Sequence, residues 1–149
     1  MRLSFNKAFA MVIGLEGGYS NDPNDPGGET KYGISKRYNP DVDVASLTLE
    51  QAKKIYLERY WIPAGCDNQP YPLDICLFDG AVNPQKGGNK ELLNQHPEDW
   101  HEFLMMRMIR YMNFSKPIYV KGHIFRCLKL YQAIKRDIQA VGLLQNGGY

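Results

Sequence analysis

The sequence is poor in the residues that most often announce a function. Its three cysteines, Cys66, Cys76 and Cys127, are scattered, odd in number and never spaced CxxC, which excludes a disulfide framework or a zinc site. The three histidines, His96, His101 and His123, form no metal-ligand pattern and read as surface or packing residues. There is no GK[ST] phosphate loop, and no Ser/His or Cys/His pairing can be read for a nucleophilic enzyme. No stretch approaches the roughly 20 apolar residues needed to span a bilayer. The start, "MRLSFNKAFAMVIGLEGG", has an early arginine, but Ser4, Asn6 and Lys7 interrupt it and the run Ala8 to Ile13 is too short for a signal peptide. No export signal is therefore expected, and synthesis in the cytoplasm is.

What is present is ordinary in bulk and uneven in detail. A length of 149 residues, 44% of them hydrophobic and 23% charged, suits one globular domain with room for an attached helical subdomain. Net charge is only +2, yet between Phe103 and Arg136 eight Lys/Arg stand with no acid. That run is either a solvated helix face or a surface attracted to a polyanion. The acids of the N-terminal half would repel nucleic acid, so no nucleic-acid partner is expected.

Apolar periodicity makes the chain mainly α, in an α+β arrangement with one small β element. Phe5, Ala8, Phe9, Val12 and Ile13 recur at helical spacing after Ser4, a suitable N-cap. Thr48 and Gln51 have capping-box spacing ahead of "LEQAKKIYLERYW", which Pro63 closes. A third helix lies in "YPLDICLFDGAVNPQKGG", with Asp79 and Asn83 on one face. A fourth is expected to start at Pro97, with Trp100, Phe103, Leu104, Arg107 and Tyr111 as its stripe. The last is expected from about Ile124 to Val141. "TKYGIS" reads as a short strand that could pair with Gly18–Ser20.

The stretch "LEGGYSNDPNDPGGETKYGIS", Leu15 to Ser35, concentrates Glu16, Asp22, Asp25 and Glu29 among five glycines and two prolines. Glu16 continues the inner stripe of the first helix, where desolvation raises a carboxyl pKa toward the range of a general acid. A structural glutamate paired with an arginine fits the same position. Asp25 follows in a glycine-bearing loop, and Thr30 offers a hydroxyl able to hold a water. Acid, base and water-holder are the parts of an inverting glycosidase. A calcium loop fits poorly, since Pro26 takes its fifth position and Gly33 the place of its closing glutamate. No metal and no cofactor are expected.

"EGGYSNDPNDPGGETKYGIS", followed by "YW" and "LFDGAVN", resembles the glycoside hydrolase family 108 peptidoglycan hydrolases. These are N-acetylmuramidases of phages, prophages and bacterial secretion loci. The resemblance implies a lysozyme-like, α-rich fold and cleavage of the β-1,4 bond between N-acetylmuramic acid and N-acetylglucosamine. By position, the family's catalytic glutamate falls on Glu16 and its "D-x-GG-x-T" on Asp25, Gly27, Gly28 and Thr30. The order Glu16, Asp25, Thr30 is also similar to the E-x8-D-x5-T triad of phage lysozymes, one residue shorter at the second gap. Asp79 and Asn83 match "FD-x-x-x-N" and are expected to line the cleft with Tyr19 and Tyr32 as substrate contacts. Where members commonly carry "GW-x-x-R", this chain has "GHIFR", with His123 at the tryptophan position and Arg126 retained. The resemblance implies a catalytic region over 1–88 and a helical region over 89–149 packed on it, a candidate peptidoglycan-binding subdomain. The expected enzyme is a monomer that reaches the wall in the periplasm with a holin or secretion helper, for phage lysis or for wall remodelling in secretion. The competing reading is a non-catalytic module that binds wall glycan and aids secretion or assembly.

Overall fold

The computed structural model describes the backbone of residues 2–16 and 18–146 and the side chains of 4–12 and 18–142. Among the described residues there are six α-helices and one two-stranded hairpin, the mainly-α fold with a small β element. The chain forms two compact units, 1–65 and 66–149. The division expected after residue 88 falls inside the second unit, at the start of a short helix.

The first unit is built on α1 (Arg2–Glu16) and α2 (Leu49–Tyr56). Phe5, Ala8, Phe9 and Val12, at the predicted helical spacing, are all buried. The Phe5 ring meets Trp61 edge-on at 5.4 Å and Phe9 meets Tyr56 edge-on at 5.6 Å, the arrangement aromatic quadrupoles favour. The Thr48–Gln51 capping box forms as expected and starts α2. A wide π-helical turn, Leu57–Trp61, then closes with Ile62 N–H on the Leu57 carbonyl. It drives Trp61 inward and sends Arg59 out to Asn39 and Asp41.

"TKYGIS" is not one strand but two. β1 (Thr30–Lys31) and β2 (Ile34–Ser35) pair antiparallel across Tyr32 and Gly33. Both turn residues have positive φ, 51° and 74°, the geometry a two-residue hairpin demands and glycine supplies most easily. The turn is tied down by Tyr56, whose hydroxyl donates to the Tyr32 carbonyl at 2.8 Å. The expected pairing with the segment before the loop is a single bridge, Ser20 to Thr30.

In the second unit α3 (Leu73–Val82) is enclosed on nearly every side, from Asp74 through Gly80. A helix enclosed on all its faces belongs at the centre of a packed unit. α4 (Gly88–Leu93) and α5 (Trp100–Phe114) pack against it, and α6 (Pro117–Asn146) packs along α5. The stripe predicted on α5, Trp100, Phe103, Leu104, Arg107 and Tyr111, is its buried face. Two boundaries differ from expectation. α5 starts at Trp100 rather than Pro97, because the Asp99 side chain caps the N–H groups of His101 and Glu102. α6 starts at Pro117 rather than Ile124: proline is suited to a first helical position, and Gly122 is tolerated mid-helix on an open face.

Candidate active site

The acidic stretch from residue 18 to the hairpin is a loop held at its neck. Ser20 N–H donates to the Thr30 carbonyl at 2.7 Å, and Thr30 N–H donates back to Ser20 at 2.8 Å. Within the loop each aspartate folds onto the backbone after it. Asp22 Oδ1 accepts from Asn24 N–H at 2.9 Å, and Asp25 Oδ1 accepts from Gly27 N–H at 2.8 Å. These are the local bonds for which Asp and Asn are favoured in turns. Gly28 closes the turn with φ of 67° and donates its N–H to the Asp25 carbonyl. Arg37 braces the same turn from the hairpin side by donating to the Pro26 carbonyl at 2.9 Å.

Asp25 is exposed. One of its oxygens is spent on the turn; the other takes no hydrogen bond among the described residues. Thr30 is half-buried on β1, and its hydroxyl donates to the Gly28 carbonyl at 3.1 Å. That bond uses the hydroxyl's proton and leaves its oxygen as an acceptor. Tyr19 is exposed, and its hydroxyl donates to Glu29 Oε1 at 3.2 Å. Partial desolvation and the Glu29 carboxylate together push its phenol above the ordinary value. Tyr32 sits at the hairpin turn with Lys31 Nζ 5.7 Å from its ring centre. Glu16 ends α1; its side chain lies outside the described residues. The loop thus brings Tyr19, Asp25, Thr30 and Tyr32 onto one short scaffold that begins directly after Glu16.

Asp79 and Asn83 lie in the second unit. Asp79, expected to line a cleft, is wholly enclosed, and its carboxylate is shared by two arginines. Arg107 approaches Oδ2 at 3.0 Å, and Arg126 donates through two nitrogens to Oδ1 at 3.1 and 2.8 Å. Burial opposes the charge of Arg107, but the Asp79 carboxylate outweighs it and raises the guanidinium pKa. Arg107 also donates to the Tyr111 hydroxyl at 3.1 Å, and that hydroxyl donates to the Asn83 carbonyl. The half-buried Asn83 donates its amide back to Tyr111 at 3.4 Å. Asp79 therefore carries a structural charge network. The hint was in the sequence: an arginine on the inner stripe of α5 needs an acid, and α3 holds one.

The segment "GHIFR" places His123 beside that network. Its Nδ1 lies 3.0 Å from Ser115 Oγ, and its ring is 4.3 Å from that of Tyr111. Burial first, then Arg126 and Arg107, hold its pKa below the ordinary value.

With this geometry in view, the sequence pattern of Glycosyl hydrolase 108 matches residues 9–84, slightly over half of the chain and inclusive of Glu16, Asp25, Thr30, Asp79 and Asn83. The chain belongs to glycoside hydrolase family 108. It is accordingly a glycosidase of the peptidoglycan-hydrolase class. The fold of this family 108 chain is similar to that of SagA from Brucella abortus, with a TM-score of 0.69 and 23% sequence identity over 93% of this chain and 96% of that one. No sequence among the curated proteins matches it.

Proposed function

We propose that this family 108 protein is an N-acetylmuramidase, hydrolysing the β-1,4 bond between N-acetylmuramic acid and N-acetylglucosamine with inversion. The observation that carries the reading is the pinned loop. It follows Glu16 directly, exposes Asp25 with one oxygen uncommitted, and sets the Thr30 hydroxyl at its neck with an acceptor oxygen available. In this mechanism Glu16 protonates the departing glycosidic oxygen as general acid. Asp25 takes a proton from water as that water attacks the anomeric carbon, and Thr30 Oγ1 accepts a hydrogen bond from the same water. Proton donated and proton taken balance, so one turn returns both carboxyls to their starting states after exchange with solvent.

Tyr19 and Tyr32 contact the glycan in this reading, each offering a hydroxyl and a flat apolar face for a sugar ring. Asp79 contributes indirectly, by fixing Arg107 and Arg126. The enzyme acts on the wall in the periplasm, reached with a holin or a secretion helper, in lysis or in wall remodelling. Release of soluble muropeptide from purified sacculi tests the reading: wild type should release it and Glu16→Gln should not. Sacculi bound but never cut would mean a glycan-binding module instead.

A further inference from the structure

The hairpin of α5 and α6 turns at Ser115 and Lys116, and its tip is apolar where it meets solvent. Met112 is 63% exposed, Phe114 49%, Ile118 82% and Tyr119 54%, and Ile118 is the most exposed large apolar side chain described. All four lie outside the buried core, and α5 turns Phe103, Leu104 and Tyr111 inward instead. Exposed apolar groups scattered singly need no explanation, but four within residues 112–119 concentrate apolar surface at one helix–helix turn. Cations accompany it. Lys86 Nζ lies 4.5 Å from the Phe114 ring centre and the Arg110 guanidinium 5.5 Å from it, while Lys116 and Lys121 flank the turn, both exposed. Arg110 is shared with Glu91, yet from Phe103 to Arg136 the chain itself holds no acid.

A polyanionic wall polymer would reward the lysines but would give Ile118 and Phe114 nothing. An anionic bilayer rewards both, because apolar side chains enter the acyl boundary while lysines reach the headgroups. We infer that the α5–α6 tip docks on an anionic phospholipid surface. Attachment is interfacial: no helix among the described residues is long and apolar enough to cross a membrane. Such a site would hold the enzyme at the bilayer beside its substrate, and it does not depend on the hydrolytic assignment.

The test is co-sedimentation of the full chain with vesicles of phosphatidylcholine, with and without a third of phosphatidylglycerol. Two double variants accompany the wild type: Phe114→Ser with Ile118→Ser, and Lys116→Glu with Lys121→Glu. All four positions are exposed, and circular dichroism with thermal melting confirms the fold. Wild type should bind only the anionic vesicles, and less at about 1 M than at about 0.1 M salt, where the Debye length is roughly 10 Å. Binding should fall about fivefold or more for each lysine replaced, and at least about tenfold for the serine pair. Sacculus hydrolysis should persist in both variants. Failure of the wild type to bind anionic vesicles would overturn the inference. So would binding that the serine pair leaves unchanged, which would reduce the patch to charge attraction of the kind a wall polymer also offers. A wild-type dimer that the serine pair dissolves, without lipid binding, would reassign the tip to self-association.

Discussion

Ser20 and Thr30 exchange two backbone hydrogen bonds, at 2.7 and 2.8 Å, and so close the acidic loop into a ring whose neck carries the Thr30 hydroxyl. The nine residues between them are thereby committed to one geometry, and the water-handling role proposed for Asp25 and Thr30 depends on it. The consequences can be measured residue by residue.

Glu16→Gln should lower turnover by about 10²–10⁴-fold, the usual worth of a positioned general acid, because the leaving oxygen must then depart unprotonated. Circular dichroism and thermal melting should show the fold intact. Turnover within a fewfold of wild type would remove Glu16 from the chemistry.

Asp25→Asn separates loop structure from catalysis. An asparagine carbonyl can still accept from Gly27 N–H, so stability should change by less than about 0.5 kcal/mol, as at other surface positions. Activity should nevertheless collapse, since an amide cannot take a proton from water. Thr30→Val, by contrast, should cost about 1 kcal/mol for the lost bond to the Gly28 carbonyl, together with a clear loss of turnover. Denaturant titration and sacculus clearing, run in parallel, read the two effects apart.

Asp79→Ala should destabilise the protein by about 3–5 kcal/mol, because it strands Arg107 in the interior without its counter-charge. Adding Arg107→Met should recover much of that loss. If the single variant melts like wild type, the network is not structural.

Stability should also fall on mild acidification. His123 is held below its ordinary value of 6.5, so the unfolded chain takes up this proton first. The contribution is complete above about pH 6.5 and is lost as pH drops through the lowered folded value. Chemical denaturation across this range should show the decline, and His123→Gln should flatten the part due to this residue.

Much of this arrangement was legible in the sequence wherever the determinant is local. Thr48 and Gln51 fix the start of α2 through neighbouring atoms, and the 3.6-residue period of Trp100 to Tyr111 alone marks the buried side of α5. The hairpin turn was less legible, because Tyr32 adopts positive φ without being glycine. Asp99 displaced the expected start of α5, since one side chain satisfying two N–H groups outweighs a proline two residues earlier. Asp79 was the hardest to read. Its spacing from Asn83 put it on a helix face, but only the fold brings Arg107 and Arg126 from two later helices to meet it. The proposed roles of Glu16, Asp25 and Thr30 rest on motif and chemistry, and the loop geometry around the last two gives their physical setting.

The stereochemical course separates the proposed mechanism from its retaining counterpart. With water attacking opposite the leaving oxygen, the β-linked substrate should give the α-anomer first, and proton NMR on fresh digests should record it before mutarotation. An initial β-anomer would assign Asp25 a different role.

The most direct measurement is mass spectrometry of sacculi digested by the purified protein, with the new ends reduced by borohydride. Hydrolysis at the proposed bond leaves N-acetylmuramic acid at each new reducing end, so muramitol-ended fragments should accumulate with wild type and be absent with Glu16→Gln. Fragments ending in reduced N-acetylglucosamine, or in an anhydro sugar that borohydride leaves untouched, would contradict the account.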